Sequence, residues 1–549
     1  MRLVLPIFLA FIFLNKIAAQ LTVGTLLNTP QSQDGYTLFS PSNGFNAYLI
    51  DNCGRSVNTW NCNYPPGLAA YLHSDGSLYR SGRILNNKMT MGGLGGIIER
   101  YSWEGDLLWS YRCSGDDSTS HHDFEILPNG NILLLVAFSK PIAEAISIGR
   151  DSTGDPNDVL FFESILEIEP IGTDSARIVW RWSSKDHLVQ SRDSTKPNYT
   201  IIPDHPERLN INYLGSSVDR DWLHANSIDY NPALDQIVIG FRNLSEFWVL
   251  DHSTSITEAA GNSGGRYGKG GDILYRWGNP ATYERGGSND QKLYEQHDVS
   301  WIPDMLPGAG SFLVFNNGEI LNYSSVAELS APMDSFGFYT QPGVGTAFGP
   351  QQPYRVFRDD SNPLFFSGRL SSAQRQPNGN TLICSGNSGY FLEMDSIGNQ
   401  VWSYRNPVTG TGIVSQGTLI NYGVNSVFAV SRYLTDYSGL AGKNLIPGDP
   451  IELNFDISQC QIYNGVKNSD NQLNTVHIYP NPVLDIINIE NFNPIESVEI
   501  YNSIGQMIEI YYGQKTNIKQ INISNYSSGC YFMRINNNKT LQCFIKNNL

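Results

Sequence analysis

The feature that most constrains the fold is a hairpin pattern that recurs along the chain. Each copy has a short strand, a turn rich in Pro, Asn, Asp and Gly, and a second apolar strand. Such turn residues between alternating strands are typical of β-hairpins. The copies are GLAAYLHSDGSLYRSG (67–82), HHDFEILPNGNILLLV (121–136), HANSIDYNPALDQIVIGFR (224–242), HDVSWIPDMLPGAGSFLVF (297–315) and SSAQRQPNGNTLICSG (371–386).

A second repeated unit follows these hairpins. It has an acidic residue, a Gly turn and a strand that ends in Trp, as in GGIIERYSWEGDLLWSYR (95–112) and YFLEMDSIGNQVWSYR (390–405). Two hairpins make a four-stranded antiparallel sheet, and such sheets repeated at intervals of tens of residues are typical of β-propeller blades.

The two ends of the array complement each other. AYLIDNCGRSVNTW (47–60) is a second unit without a first, and GIVSQGTLINYGVNSVFAVSRY (412–433) is a first unit without a clear second. Pairing them would close the array and remove a free sheet edge. We therefore predict an all-β chain with a six-bladed β-propeller over residues 21–460.

Composition and the N-terminal residues indicate an exported protein. Residues 1–19 have a basic start, an apolar run and small residues near Ala19, so they read as a signal peptide. No later segment is apolar enough to span a membrane. The net charge of −16 disfavours nucleic acid and anionic membranes as partners. Of the seven cysteines, Cys53 with Cys62 and Cys530 with Cys543 could form disulfides.

Three successive hairpins begin with a histidine at the same position of the repeat. His122 and His297 each precede the Pro of their turn by six residues, and the intervening hairpin starts at His224. The first strand of a propeller blade lines the central channel, so we expect these imidazoles to meet at one rim. The second strand of the His224 hairpin returns to that rim at Arg242 and brings it near His224 and Asn226.

Imidazoles beside a guanidinium and an amide form an anion site. Imidazole can attack or carry a proton near neutral pH, and a guanidinium stabilises charge on several oxygens. This set suits transfer of a sulfuryl or phosphoryl group through a covalent histidine intermediate. A histidine metal site is the sharper rival, which the adjacent Arg242 disfavours. We expect no cofactor and no metal.

Two further side chains have open interpretations. Arg375 is either a second cation for the substrate or an ion-pair partner between blades. His187, in a long loop, could touch the site.

At these residues the sequence resembles the bacterial arylsulfate sulfotransferases. The stretches that carry the resemblance, from about residue 35 to 440, include GYTLFSP, HHDFEILPNGN, DWLHANSIDYNPALDQIVIGFR, GGDILYRWGNP, QHDVSWIP and AQRQPNGNTLI. The resemblance implies a six-bladed propeller that moves a sulfuryl group from a phenolic sulfate ester to a phenol without a nucleotide donor. It implies that His297 is the nucleophile, supported by His224, Asn226, Arg242 and His122, with His121 as the alternative to His122.

The sequence leaves the final acceptor open. If a phenol takes the group from the sulfohistidine, the protein is a transferase, and if water takes it, a sulfatase. A non-catalytic propeller that binds sulfated glycans or aromatics at the cell surface is the alternative function. One departure from many relatives is Asn58 in NTW, where they carry a histidine; we expect it on an outer strand, without catalytic effect.

The remainder of the chain reads as a linker, 461–475, and a small domain, 476–549. Alternating strands and Gly turns predict a β-sandwich. YPNP (479–482), the YNSIGQ stretch (501–506), SSGCY (527–531) and FIK (544–546) resemble the C-terminal sorting domain of type IX secretion. That resemblance implies the type IX machinery as a partner, passage across the outer membrane, and release or surface attachment.

Overall fold

The computed structural model describes residues 22–151, 158–215, 220–456, 460, 477–479, 483–502, 506–536 and 542–547. The chain divides into two compact units, Met1–Asn464 and Gly465–Leu549. The predicted signal peptide, 1–19, and the predicted linker, 461–475, lie outside the described residues. Helices are few and short: α1 (Ile142–Ser147), α2 (Ile256–Ala259), and 3-10 turns at Ser184–Asp186, Ile202–Asp204, Pro280–Tyr283, Glu319–Leu321, Gly386–Ser388 and Ser438–Leu440.

The first unit is built from strands. These are β1 (Gly24–Asn28), β2 (Tyr36–Pro41), β3 (Asn46–Ile50), β4 (Ser56–Asn61), β5 (Pro66–Leu72), β6 (Leu78–Arg83), β7 (Gly96–Tyr101), β8 (Leu107–Arg112), β9 (Ser118–Ile126), β10 (Ile132–Pro141), β11 (Val159–Ile171), β12 (Ser175–Ser183), β13 (Leu188–Val189), β14 (Leu209–Asn210), β15 (Ala225–Asn231), β16 (Gln236–Phe241), β17 (Glu246–Asp251), β18 (Tyr275–Trp277), β19 (His297–Trp301), β20 (Phe312–Asn316), β21 (Ser325–Leu329), β22 (Arg355–Phe357), β23 (Ser372–Arg375), β24 (Thr381–Ser385), β25 (Tyr390–Met394), β26 (Gln400–Arg405), β27 (Val408–Thr409), β28 (Gly412–Ile413) and β29 (Val427–Tyr433).

In the described part of this unit, six antiparallel sheets have four or five strands each. Sheet 1 is β5–β8, sheet 2 is β9–β12, sheet 3 is β15–β18 and sheet 4 is β19–β22. Sheet 5 is β23–β26 with β1 on its outer edge, and sheet 6 has the order β29, β2, β3, β4. The antiparallel pairing of β29 with β2 confirms that the N-terminal strands complete the last sheet of the array.

Neighbouring sheets pack face to face in a cyclic order. The first strands contact one another in the series β5, β9, β15, β19, β23, β29 and again β5. Apolar clusters among the described residues lie between sheets 1 and 2, 2 and 3, 3 and 4, 4 and 5, 5 and 6, and 6 and 1. Because side chains alternate along a strand, one strand contributes to two clusters. On β16, Ile237 and Ile239 face sheet 2, while Val238 faces sheet 4.

The tryptophans of the second repeated unit join adjacent sheets. Their indole N–H groups donate to backbone carbonyls of the following sheet or its loops, which satisfies a buried donor and fixes the outer edges. The bonds run from Trp60 to Ser102 (2.8 Å), Trp109 to Ser175 (2.9 Å), Trp182 to Gly271 (2.8 Å), Trp277 to Pro350 (2.7 Å) and Trp402 to Asn52 (2.8 Å).

The first strands are also joined by side chains that accept a backbone N–H of the next strand. This repeated bond fixes the offset of each first strand against its neighbour, and so the relative heights of the residues at the rim. The pairs are Asp123 with Ile228 (3.1 Å), Ser227 with Val299 (3.1 Å), Asp298 with Ala373 (2.7 Å) and Ser372 with Val430 (3.1 Å).

The disulfide of the first unit differs from the expected one. Cys53 is bonded to Cys460, 407 positions away, with a Cα–Cα distance of 5.5 Å. Cys62 is instead a buried thiol, in the apolar cluster between sheets 6 and 1. The pairing of Cys53 with Cys62 was therefore wrong, because contacts across the closure of the array bring together residues that are far apart in sequence.

In its described residues the second unit has five strands, β30 (His477–Tyr479), β31 (Ile486–Asn502), β32 (Met507–Asn522), β33 (Gly529–Ile535) and β34 (Gln542–Lys546). They join through the long β31 into one hydrogen-bonded sheet, so a second sheet, and with it the sandwich, stays a prediction. Cys530 pairs in register with Ile545 on β34, two residues from Cys543. The side chain of Cys543 lies outside the described part, so the disulfide between them also stays a prediction. Among the described residues, no helix has the length and apolar composition to cross a bilayer.

Candidate functional site

The candidate site lies where sheets 2, 3 and 4 end at one rim, and His297 is one of its three fully buried imidazoles. His297 begins β19, and only 2% of its surface is exposed. Its Nδ1 lies 2.8 Å from Oδ1 of Asn317, the residue that follows β20. The backbone N–H of Leu370, just before β23, donates to Nε2 at 3.2 Å. Both ring nitrogens are therefore held by neighbouring loops.

His122 and His224 stand against each other. Their ring centroids are 4.7 Å apart and the planes are inclined by 74°. Both residues have a left-handed backbone, with φ of 51° and 52°. The pairing of β9 with β10 shifts register at this point, and His224 directly precedes β15, where the first pairs of β15 with β16 shift as well. Such an irregularity re-aims a side chain, here toward the rim.

His121 contacts His122 and a buried carboxylate. Its Nε2 is 2.9 Å from Oε2 of Glu163, and its Nδ1 is 2.9 Å from Nδ1 of His122. Glu163 also accepts the backbone N–H of Ala225 at 3.0 Å. His122 is thus the member of the pair that faces His224, and His121 links it to a buried carboxylate.

Arg242 reaches the rim by the predicted hairpin geometry. Its backbone N–H donates to the His224 carbonyl at 3.0 Å. Its guanidinium donates to Oε2 of Glu295 at 2.6 Å and to Oδ1 of Asn243 at 2.9 Å. The side chains of Arg242 and His224 are 21% and 14% exposed, so a ligand that enters from solvent meets them before it meets His297.

Asn226 lies between first strands. Its Nδ2 donates to the carbonyl of Gln296 at 2.7 Å, one residue before His297. The Gln296 side chain in turn donates to the carbonyls of Phe241 and Glu246. In this arrangement Asn226 fixes the backbone that carries His297.

Two residues considered from the sequence lie elsewhere. Arg375 donates to Oε2 of Glu328 at 2.6 Å, from sheet 5 to sheet 4, and both side chains are buried. Of the two alternatives, the structure therefore has the ion pair, here between neighbouring sheets. His187 stacks on Trp182 and bonds to Asp272 at 2.7 Å. Asn58 is on β4, at the outer edge of sheet 6, as expected.

A glycine loop covers the imidazoles. A Cβ on Gly92 would come within 2.8 Å of the His224 ring, and one on Gly93 within 2.1 Å of the His122 ring. Gly93 also has φ of +66°, and its carbonyl accepts the backbone N–H of His122. Only glycine permits this approach, which keeps His122 out of water.

Burial and positive neighbours keep the central imidazoles neutral. Burial, with the nearby charges of Arg242 and His224, lowers the pKa of His297 to about 3, although its bond to Asn317 acts in the opposite direction. Burial, together with like charge on the adjacent imidazoles and on Arg242, holds the pKa of His122 well below its usual range. Burial opposes the charged form of His121, yet Glu163 raises its pKa. His297 is therefore a neutral imidazole near the positive charge of Arg242.

A cluster of acidic side chains lies on the first strands β9, β15 and β19. These side chains, Asp123, Glu125, Asp229 and Asp298, line part of a space of about 260 Å³ that we call the acidic cavity. Burial raises the pKa of Asp123 to about 7, of Asp229 to about 6 and of Asp298 to about 8. The described part holds no group of His, Cys, Asp and Glu side chains that could hold a metal ion.

The sequence reasoning missed the residues that support the histidines. Asp221 lies 2.6 Å from Nδ1 of His224, and Glu163, Glu295 and Asn317 hold the other site residues. Asn317 could have been found, because it follows the second strand of its hairpin as Arg242 does. The others lie on outer strands or long loops, whose placement no repeat position predicts.

The arrangement can bind an anion between a guanidinium and imidazoles and offer it an uncharged ring nitrogen.

Of the solved structures similar to this chain, one is a protein of unknown function from Bacteroides caccae, with 11% identity over 73% of this chain and 99% of that one, at a TM-score of 0.39. Another is the virginiamycin B lyase from Staphylococcus aureus, with 9% identity over 70% and 88%, at a TM-score of 0.31. At such scores these likenesses carry no argument here.

No curated protein matches the sequence. Two family profiles do. The secretion system C-terminal sorting domain covers residues 477–546, which marks the chain for export. The profile described as Arylsulfotransferase (ASST) covers residues 69–408, which include every histidine of the site and Arg242. The chain belongs to the arylsulfotransferase family.

Proposed function

We propose that the first unit is a six-bladed β-propeller that transfers a sulfuryl group from a phenolic sulfate ester to a phenol through His297. The six sheets and the cyclic contacts of their first strands support the architecture. The single observation that carries the chemistry is that His122 packs against His224 while Arg242 is bonded to Glu295, two residues before His297.

In the first step, Nε2 of His297 attacks sulfur as the bond from sulfur to the phenolic oxygen breaks. Arg242 attracts the sulfuryl oxygens, which carry negative charge throughout the transfer. The phenolate leaves with the bonding electrons and takes a proton from His224 or from a water molecule beside it. In the second step, the group that gave up its proton takes one from the acceptor phenol, the phenol oxygen attacks sulfur, and the nitrogen–sulfur bond returns its electrons to the ring.

The solvent exposure of each side chain indicates its role. Arg242 and His224 stand at the solvent side and would meet the sulfate ester first, while His297 lies deeper. Asp221 holds Nδ1 of His224, and Glu163 holds the buried His121, whose protonated form it stabilises.

The experiment is turnover of 4-nitrophenyl sulfate with a phenol as acceptor, followed by nitrophenol release. We expect release that depends on the acceptor, and a sulfohistidine on the His297 peptide by mass spectrometry when the acceptor is omitted. His297→Gln should abolish both. His205→Asn, which changes a half-exposed imidazole paired with Glu207, is the matched control and should keep both.

Other results would change the assignment. Release of nitrophenol and free sulfate without any acceptor would identify a sulfatase. Binding of the ester that depends on Arg242, without turnover under any acceptor, would indicate the binding propeller instead. Full activity of His297→Gln would refute the proposed nucleophile.

Export through the type IX system, with removal of the second unit, belongs to the same proposal. The sorting-domain match supports it. Secreted protein should then lack the residues after about 475, as intact mass would show, while a product that retains the second unit would contradict the removal.

A further inference from the structure

The imidazoles of the site differ in the kind of partner that holds them. His121 and His224 are bonded to the carboxylates of Glu163 and Asp221. His297 is bonded to the amide of Asn317. A carboxylate favours a charged imidazolium, whereas an amide oxygen orients the ring without adding negative charge. The partner of His297 is therefore suited to a ring that must stay neutral.

The orientation of the Asn317 amide follows from its other bonds. Asn317 is fully buried, and its Nδ2 donates to the carbonyls of Ser367 at 2.8 Å and Leu370 at 2.9 Å. Carbonyl oxygens only accept, so both donor positions of the amide are used on them. The atom that faces His297 must be the amide oxygen. The backbone carbonyl of Asn317 also accepts from the Ser324 hydroxyl at 2.7 Å, which anchors the residue further.

An amide oxygen cannot donate, so Nδ1 of neutral His297 must carry the ring proton. The opposite side of the ring agrees, because the N–H of Leu370 donates to Nε2 and needs a lone pair there. Two independent neighbours thus select the same tautomer. Because the second ring nitrogen decides which atom is free, this fixes the reactive atom of the ring.

We propose that Asn317 is a positioning residue that holds His297 in the Nδ1–H tautomer, so that Nε2 is the atom that takes the sulfuryl group. This rests on the proposed function.

In the first step of that reaction, the Nε2 lone pair forms the bond to sulfur and the Leu370 N–H loses its acceptor. The ring gains a positive charge and keeps its Nδ1 proton, which continues to donate to Asn317. No proton has to leave the ring in either step.

The tautomer can be measured without any activity. The full chain, labelled with ¹⁵N-histidine, would be compared with His297→Gln to assign the ring signals of His297. We expect a pyridine-type Nε2 and a pyrrole-type Nδ1 that do not change between about pH 6 and 8. A protonated Nε2 in the neutral ring, or a ring that is an imidazolium in this range, would overturn the proposal.

The variant Asn317→Ala tests the consequence for catalysis. We expect kcat with 4-nitrophenyl sulfate to fall about 10²-fold while KM changes much less, because a misplaced nucleophile affects the chemical step more than binding. The ¹⁵N signals of His297 should move toward mixed tautomers. Asn406→Ala is the control, since Asn406 is a fully buried asparagine whose amide also donates to backbone carbonyls, and it should keep kcat within about twofold.

The outcomes separate the two proposals. If Asn317→Ala keeps kcat, or lowers it without any change in the ring signals, the positioning role is wrong. If the wild type releases no nitrophenol with any acceptor, the proposed function is wrong, whereas the ¹⁵N spectrum of the wild type still decides the tautomer.

Discussion

The acidic cavity predicts that the folded chain loses stability as pH rises, and Asp298→Asn is the sharpest perturbation. Asp298 follows the proposed nucleophile in sequence, and its Oδ2 accepts the backbone N–H of Ala373 at 2.7 Å. Burial and the nearby charges of Asp123 and Asp229 raise its pKa from 3.8 to about 8. An asparagine keeps an acceptor for that N–H and has no charge to bury.

The sign and size follow from proton linkage. A group whose folded pKa lies above its unfolded value contributes stability that is fully present below about pH 4 and is lost as pH rises to about 8. At about 1.4 kcal/mol for each pH unit between 3.8 and 8, the loss is about 6 kcal/mol at most. Asp123 and Asp229 titrate in the same range and their charges interact with that of Asp298, so we expect a measured difference of about 2–5 kcal/mol.

The assay is unfolding of the full chain by denaturant or heat at about pH 5, 7 and 9. The stability difference between Asp298→Asn and the wild type should be smallest at the lowest pH and should grow in favour of the variant at the higher values. Asp334→Asn, which removes an exposed turn carboxylate outside the acidic cavity, is the control for loss of charge. A difference between Asp298→Asn and the wild type that does not grow with pH would refute the reasoning.

Three further predictions concern the site and the closure of the array. Arg242→Lys should lower kcat/KM for 4-nitrophenyl sulfate about 10²-fold, because a single ammonium replaces a fork of donors; unchanged kinetics would contradict its role. Gly93→Ala should inactivate the enzyme, whereas Gly105→Ala, with φ of +94° and open space around the new Cβ, should cost only about 1 kcal/mol of stability. Non-reducing peptide maps should link Cys53 to Cys460, and Cys460→Ser should cost up to about 6 kcal/mol by chain entropy; intact thiols at both positions would exclude the bond.

The sequence alone was enough to predict the repeated sheets and the pairing of the two ends of the repeat array. Turn residues and the two-residue alternation of strands act locally. The Trp-ending repeat at 47–60, which lacks a preceding hairpin, could therefore be matched to the hairpin at 412–433 without coordinates. The repeat also predicted that His224 and Arg242 lie together, because the two strands of one hairpin must return to the same edge. The bond from the Arg242 N–H to the His224 carbonyl reflects that constraint.

Only the tertiary structure decided which side chains hold the site residues. Glu163, Glu295 and Asn317 come from different sheets and loops, and their contacts depend on the angle between sheets and on loop paths that no local pattern encodes. The same is true of Arg375, which the repeat left between two roles and which packing assigns to Glu328. Local sequence determines the strands and their order. Packing between sheets determines which side chains bond to the site residues, because such a bond requires two residues to be close in space, wherever they lie in the sequence.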